Sequence, residues 1–245
     1  MLMEDARMGS IIQCALNGAY TAADHPAVPV TLEQLVADAA ACHAAGAASV
    51  HLHPHRPEGG DSMAADVLDP VVAAVRAAVP GLEISCSTHA RIDLGGAAGH
   101  RAAVRGWTCP PDAVSLNLEE PGSIELGDEL LAAGVAIEAG LFTLADADAL
   151  LAAPWAERVR RVLVEVIYEH DDEAAVALAH AIDERVAPLG RPRLWHGDAR
   201  ANWAVADAGR RLGRDIRVGL EDTIVGRDGG PAPSNAEQVA EYAGR

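Results

Sequence analysis

Short apolar runs with strand character alternate with longer stretches of helical spacing from one end of the chain to the other. The first predicted strand covers about Ile11–Leu16. A helix follows near Thr31–Ala45, where Gln34 stands three residues after Thr31 in a capping-box pattern. Further strands are expected at Ala48–His53, Leu82–Ser87, Ala113–Leu118, Val135–Glu138, Arg161–Val166, Arg193–His196 and Ile216–Leu220. The helices between them fall near Ala64–Ala78, Gly99–Arg105, Ser123–Ala133, Leu144–Leu151, Asp172–Val186 and Ala201–Leu212, with a last one over Ser234–Ala243. Eight strand–helix units predict an α/β fold, a (β/α)8 TIM barrel, as a single domain over residues 1–245. A doubly wound sheet is the competitor, but no GxGxxG follows the first strand.

In such a barrel, active sites lie at the C-terminal ends of the strands. The polar residues expected there are Asn17; His51 and His53; Ser87 and Thr88; Ser115, Asn117 and Glu119; Glu138; Glu165; His196; and Arg217, Glu221 and Asp222. Polar groups pointing into a barrel mouth cost free energy unless they are paired. Their accumulation at one end of every strand is hard to explain as packing.

Within this set, Ser49-Val50-His51-Leu52-His53-Pro54 is the most informative run. Residues two apart on a strand face the same side, so two imidazoles would stand roughly 6–7 Å apart at the backbone. That spacing suits two ligands on one transition metal. A lone buried histidine is more often a hydrogen-bonded core residue, but a pair at the catalytic end of a barrel favours a metal. Glu221-Asp222 follows the last strand and reads either as a cap or turn, or as part of the site. In the second case, one carboxylate completes a two-histidine, one-carboxylate set, and Asp222 is free as a general base. Ser87-Thr88 either caps the next turn or touches substrate. Buried Glu138 requires an arginine or a metal as its partner. His196 is either a donor to a ligand or is satisfied by the rim, and His55-Arg56 either binds anionic groups or is an exposed pair.

Composition narrows the chemistry. The formal net charge of -17 argues against nucleic acid and against anionic membrane surfaces. All basic side chains are arginines, which excludes a Schiff-base aldolase, a pyridoxal-phosphate enzyme and a P-loop, each of which needs a lysine. Carbonyl chemistry here must use a metal or hydrogen bonds as the electron sink. The four cysteines, Cys14, Cys42, Cys86 and Cys109, show no CxxC pair and read as reduced thiols of a cytoplasmic protein. Met1–Ser10 carries Glu4 and Asp5 and does not read as a signal peptide, and no run reaches the length of a membrane span.

Taken in order, the motifs resemble the β-keto acid cleavage enzymes. They are Asn17-Gly18-Ala19, His25-Pro26-Ala27-Val28-Pro29-Val30-Thr31, Ala45-Gly46-Ala47 before His51-Leu52-His53, Ser87-Thr88, Ser115-Leu116-Asn117-Leu118-Glu119-Glu120, Glu138-Ala139-Gly140, Arg217-Val218-Gly219-Leu220-Glu221-Asp222-Thr223 and Ser234-Asn235-Ala236. The resemblance runs from about Ile11 to the C-terminus. It implies a Zn2+-bearing barrel, a homo-oligomer (dimer or tetramer), with no nucleic-acid or membrane partner. It also implies a reaction between a small β-keto acid and acetyl-CoA as co-substrate, giving acetoacetate and a new CoA thioester. By position, His51, His53 and Glu221 would hold zinc and Asp222 would be the base. Ser87 would relay or position the proton, and Arg217 would orient the base and the substrate carboxylate. Ser115 and Asn117 would line the substrate site, with Thr88 and Glu138 beside them. A carboxylate between metal and arginine is expected to have a lowered pKa. Three positions depart from the pattern. His55 stands where an arginine is usual, with Arg56 next, and His89 replaces a glycine. Tyr20 stands where the member acting on 3-keto-5-aminohexanoate has a glutamate.

The main rival is a metal-dependent hydrolase on the same barrel, for which His196 is the one obvious extra ligand. A barrel that binds without catalysis is a third reading, and the intact His51, His53, Glu221 and Asp222 argue against it.

Overall fold

Residues 10–169 and 171–244 are described by the structure, a computed structural model. The reading of Met1–Ser10 therefore lies, except for Ser10, outside the described residues. The strands are β1 (Ile12–Ala15), β2 (Ser49–Leu52), β3 (Glu83–Ser87), β4 (Ala113–Asn117), β5 (Ala136–Leu141), β6 (Arg161–Val166), β7 (Arg193–Gly197) and β8 (Asp215–Val218). The helices are α1 (Leu32–Ala45), α2 (Ala65–Ala78), α3 (Ala97–Gly106), α4 (Ser123–Ala132), α5 (Leu144–Ala152), α6 (Asp172–Val186), α7 (Ala201–Arg211) and α8 (Asn235–Tyr242). All strand pairs are parallel, follow sequence order, and close with β1 against β8. This is the (β/α)8 barrel expected from the alternation. Thr31 and Gln34 form the expected capping box at α1. No helix among the described residues is long and apolar enough to cross a membrane.

The two faces of the strands separate sharply. Outward residues such as Cys14, Val50, Ile84, Val114, Ile137, Val164, Trp195 and Ile216 pack with the helices into one large apolar core. The interior of the barrel carries polar residues instead. Gln13 Nε2 donates to Ser49 Oγ (3.1 Å) and to Glu138 Oε1 (2.9 Å), and Arg161 pairs with Glu138 (3.2 Å) and Glu83 (2.9 Å). Buried charges persist only with such partners. All four cysteines are free, as expected for reduced thiols.

Two strand ends differ from the sequence reading by more than one residue, each at a glycine. β5 runs three residues past Glu138, because Gly140 is not a turn. It sits inside the barrel, where a Cβ would lie 2.3 Å from Glu165 Oε1 and 2.5 Å from Asn117 Oδ1. β8 stops at Val218, two residues early. There Gly219 takes φ +148°, and a Cβ would lie 2.1 Å from the Ala15 carbonyl oxygen. That close pass turns the chain so that Glu221 and Asp222 face the mouth.

Asn235, the first residue of α8, fastens β1 to the turn after β8. Its Oδ1 accepts from Leu220 N–H (2.7 Å), and its Nδ2 donates to Leu16 O (2.8 Å) and to Asp38 Oδ2 (2.6 Å). Burial pushes the Asp38 carboxyl up to about 6, against the Asn235 hydrogen bond. A carboxyl raised on folding contributes stability that is complete below its unfolded pKa and is lost as pH rises through the folded value. Asp38→Asn should therefore match wild type near pH 4 and exceed it by about 1–2 kcal/mol near pH 8. Denaturant midpoints read the difference, and a pH-independent gap would contradict this. Gly219→Ala should cost about 3 kcal/mol or more. A stability within experimental error of wild type would show that the close pass to Ala15 relaxes freely.

Candidate active site

His51 on β2 and His53 just beyond its end turn their rings together, with Nε2 atoms 3.3 Å apart. Glu221 Oε1 lies 3.7 Å from His51 Nε2 and 3.3 Å from His53 Nε2. One ligand atom from each of the three residues lies within 4.8 Å of the others. The opposite ring nitrogens are both engaged. His53 Nδ1 meets Asp61 Oδ2 at 2.8 Å, and His51 Nδ1 meets Ser85 Oγ at 3.1 Å. Ser85 gives its own proton to Glu138 Oε2 (2.5 Å), so it accepts from His51 Nδ1–H. His51 Nε2 thus keeps a lone pair for a ligand, and burial holds this imidazole well below its usual range. Burial also works against charge on His53, but Glu221 and Asp61 outweigh it and lift the ring to about 9. A proton must therefore leave His53 Nε2 before that nitrogen can ligate.

Glu221 Oε2 is buried with no hydrogen-bond partner among the described residues. An orphaned carboxylate oxygen beside two imidazole nitrogens whose far sides are held is a donor set that fits Zn2+ or a similar first-row divalent ion.

Arg217, on β8, organises the two carboxylates. Its Nε and Nη2 reach Asp222 at 3.1 Å and 2.7 Å (both to Oδ1), and Nη2 reaches Glu221 Oε1 at 2.8 Å. Burial opposes a charge on Glu221, yet Arg217 and the two histidines bring its carboxyl well below the usual range. Asp222 goes the other way. Its burial outweighs Arg217 and His196 and raises the carboxyl. On Asp222's other side, His196 Nδ1 stands 3.6 Å away, and His196 Nε2 is 3.4 Å from Glu165 Oε2. Asn17 anchors His53 by two backbone bonds, accepting from its N–H (2.9 Å) and donating to its carbonyl (2.8 Å).

Ser87, Ser115 and Asn117 gather at the ends of β3 and β4, where Ser87 and Ser115 are register partners. Ser87 Oγ accepts from His89 N–H at 3.2 Å. Asn117 Nδ2 donates to Glu120 Oε1 at 2.9 Å. Two residues expected to face substrate stand behind the site instead. Thr88, 1% exposed, donates its hydroxyl proton to the Ser115 carbonyl (2.6 Å) and ties β3 to β4. Glu138, fully buried, lies deep in the barrel and reaches the site only through Ser85 and His51. His196 is not in the ligand group, so the hydrolase reading has no fourth protein ligand from it. His55 is used structurally, its Nε2 on the Gly18 carbonyl at 2.9 Å. Tyr20 packs against Val28, Leu220 and Ala232.

Ser85 and Asp61 were missed by sequence reasoning. Ser85 stands two residues before Ser87, and a second inward serine on an apolar strand was a usable signal. Asp61 lies eight residues beyond its partner His53, and no pattern marks a contact that only loop closure makes.

Fold and site together define a barrel enzyme with a two-histidine, one-carboxylate centre. The chain belongs to the β-keto acid cleavage enzyme family, whose model matches residues 10–244. It is 27% identical over 256 residues to the 3-oxoadipate:acetyl-CoA acetyltransferase of Cupriavidus necator, covering 95% of this chain and 87% of that protein. Among solved structures it is similar to the ternary complex of ObcA with a C4-CoA adduct and oxalate. That match has TM-score 0.71 and 20% identity, over 88% of this chain and 63% of that one. The chain thus spans somewhat under two thirds of the length of ObcA. It is also similar in fold to type I 3-dehydroquinate dehydratase from Clostridium difficile, with TM-score 0.63 and 9% identity over 97% of this chain and 92% of that chain.

Arg217→Ala would leave two adjacent buried carboxylates without their cation, and a loss of about 3–5 kcal/mol is expected. Arg217→Lys should recover only part of it, because a lysine lacks the fork that meets both acids. Guanidinium unfolding measures this, and wild-type stability in Arg217→Ala would contradict the pairing.

Proposed function

We propose that this chain, as a single barrel domain, is a zinc-dependent enzyme that converts a β-keto acid and acetyl-CoA into acetoacetate and a new acyl-CoA. The observation that carries the zinc assignment is the convergence of His51 Nε2, His53 Nε2 and Glu221 on one another, with Glu221 Oε2 unpartnered. Acetyl-CoA as co-substrate is supported by the name of the Cupriavidus relative. His51, His53 and Glu221 would hold the ion, and when bound it supplies a Lewis acid that stabilises charge on the keto oxygen.

The chain's own residues account for the remaining roles. Asp222, held by Arg217, takes the proton from the carbon between ketone and carboxylate. Arg217 Nη1 makes no hydrogen bond among the described residues and is free for the substrate carboxylate, while its other nitrogens fix Asp222. Ser87 positions the proton, and Ser115 and Asn117 line the substrate side. The carbanionic acid displaces CoA from acetyl-CoA. The CoA thiolate then attacks the original ketone. Cleavage there leaves the new acyl-CoA and the enolate of acetoacetate, to which Asp222 returns its proton. The enzyme is proposed to work in the cytoplasm as a homo-oligomer.

Purified protein should carry about one zinc per chain. His51→Ala should lose both metal and turnover. Asp222→Asn should keep the metal and lose turnover by about 10²–10⁴-fold. Acetoacetate should appear from β-keto acids only when acetyl-CoA is added, and product formed without CoA would overturn the proposal.

A further inference from the structure

The two candidate histidine ligands are supported in different ways. His51 leans on Ser85, inside the barrel on β3, and through it on Glu138. His53 leans on Asp61, which belongs to the loop between β2 and α2. That loop is held mainly by its own backbone. Arg56 N–H donates to Gly60 O (2.9 Å), Gly59 N–H to Arg56 O (2.9 Å) and Ser62 N–H to Pro54 O (2.8 Å), and His55 pairs with Asp61 as an isolated bridge. The side chain of Asp61 thus joins a metal-site histidine to this loop, which His55 also ties to the Gly18 carbonyl. The same loop, through His55, Arg56, Gly60 and Asp61, forms one wall of a groove of about 740 Å³ that continues to Leu35 and Val67.

We propose that Asp61 is a positioning residue that fixes His53 toward the metal and thereby couples metal occupancy to the order of the 54–62 loop. This rests on the zinc reading above. A carboxylate on Nδ1–H sets the tautomer and ring orientation of a ligating histidine and makes its other nitrogen a better donor. Coupling is reciprocal. Whatever factor Asp61 adds to metal affinity, the bound metal adds to the Asp61–His53 contact, and so to closure of the loop that walls the groove. His51 gives no such coupling, because Ser85 and Glu138 lie in the barrel wall.

The test uses the full-length protein, with Zn2+ itself as the probe in competition with a chromophoric chelator. Asp61→Ala should bind zinc about 10–100-fold more weakly than wild type. Asp61→Asn, which keeps the shape and an acceptor oxygen, should fall between them. Hydrogen exchange in residues 54–62 should slow on zinc addition in wild type, and slow much less in Asp61→Ala. A purely structural role for Asp61 would speed loop exchange equally with and without zinc. Affinity within twofold of wild type in both variants, or an undiminished zinc effect on the loop in Asp61→Ala, overturns the proposal while leaving the metal site standing. Wild-type protein that takes up no zinc overturns both.

Discussion

The guanidinium of Arg217 lies against two carboxylates that are neighbours in sequence, and the rest of the site depends on how it divides them. Two adjacent acids in a buried mouth repel each other and could not both remain charged without a cation between them. Arg217 bonds both, yet Glu221 also sees two imidazoles while Asp222 sees one and is buried more deeply. The carboxyls are driven in opposite directions, Glu221 down and Asp222 up. That separation fits the proposed roles. A ligand must be ionised to hold a cation, whereas a base needs enough basicity to take a proton from carbon.

The backbone supplies the other half of that division. Gly219 passes close to the Ala15 carbonyl, and Asn235 binds both Leu220 and Leu16, so β1 and the turn after β8 are held as one unit. Asn17 then carries the same unit across to His53. His51 and His53 and the two carboxylates lie at the ends of strands on either side of β1, which closes the barrel between them. The polar barrel interior continues this scaffold downward, from His51 through Ser85 and Glu138 to Gln13 and Arg161.

Much of this was legible in the chain. Eight alternating units are a long-range pattern that needs no knowledge of contacts, and His51 and His53 face together by strand geometry alone. The misreadings were local and had a common origin. A glycine can end a strand or lie inside one, and only the neighbours that a Cβ would strike reveal that Gly140 lies inside β5 while Gly219 ends β8 early. The sequence therefore puts Glu138 at a strand end. It equally leaves Thr88 facing substrate, because a hydroxyl at a strand end gives no hint of which carbonyl it will find. The raised carboxyl of Asp222 was also unreadable, since the sequence shows the nearby arginine but not the depth of burial that outweighs it.

The central claim is that two imidazoles and one carboxylate of this chain hold a zinc ion. X-ray absorption at the zinc edge of the purified protein tests it most directly. The account expects imidazole scattering from two histidines and light oxygen or nitrogen neighbours at about 2.0–2.2 Å. Sulfur at about 2.3 Å, or scattering from three or more histidines, would contradict it.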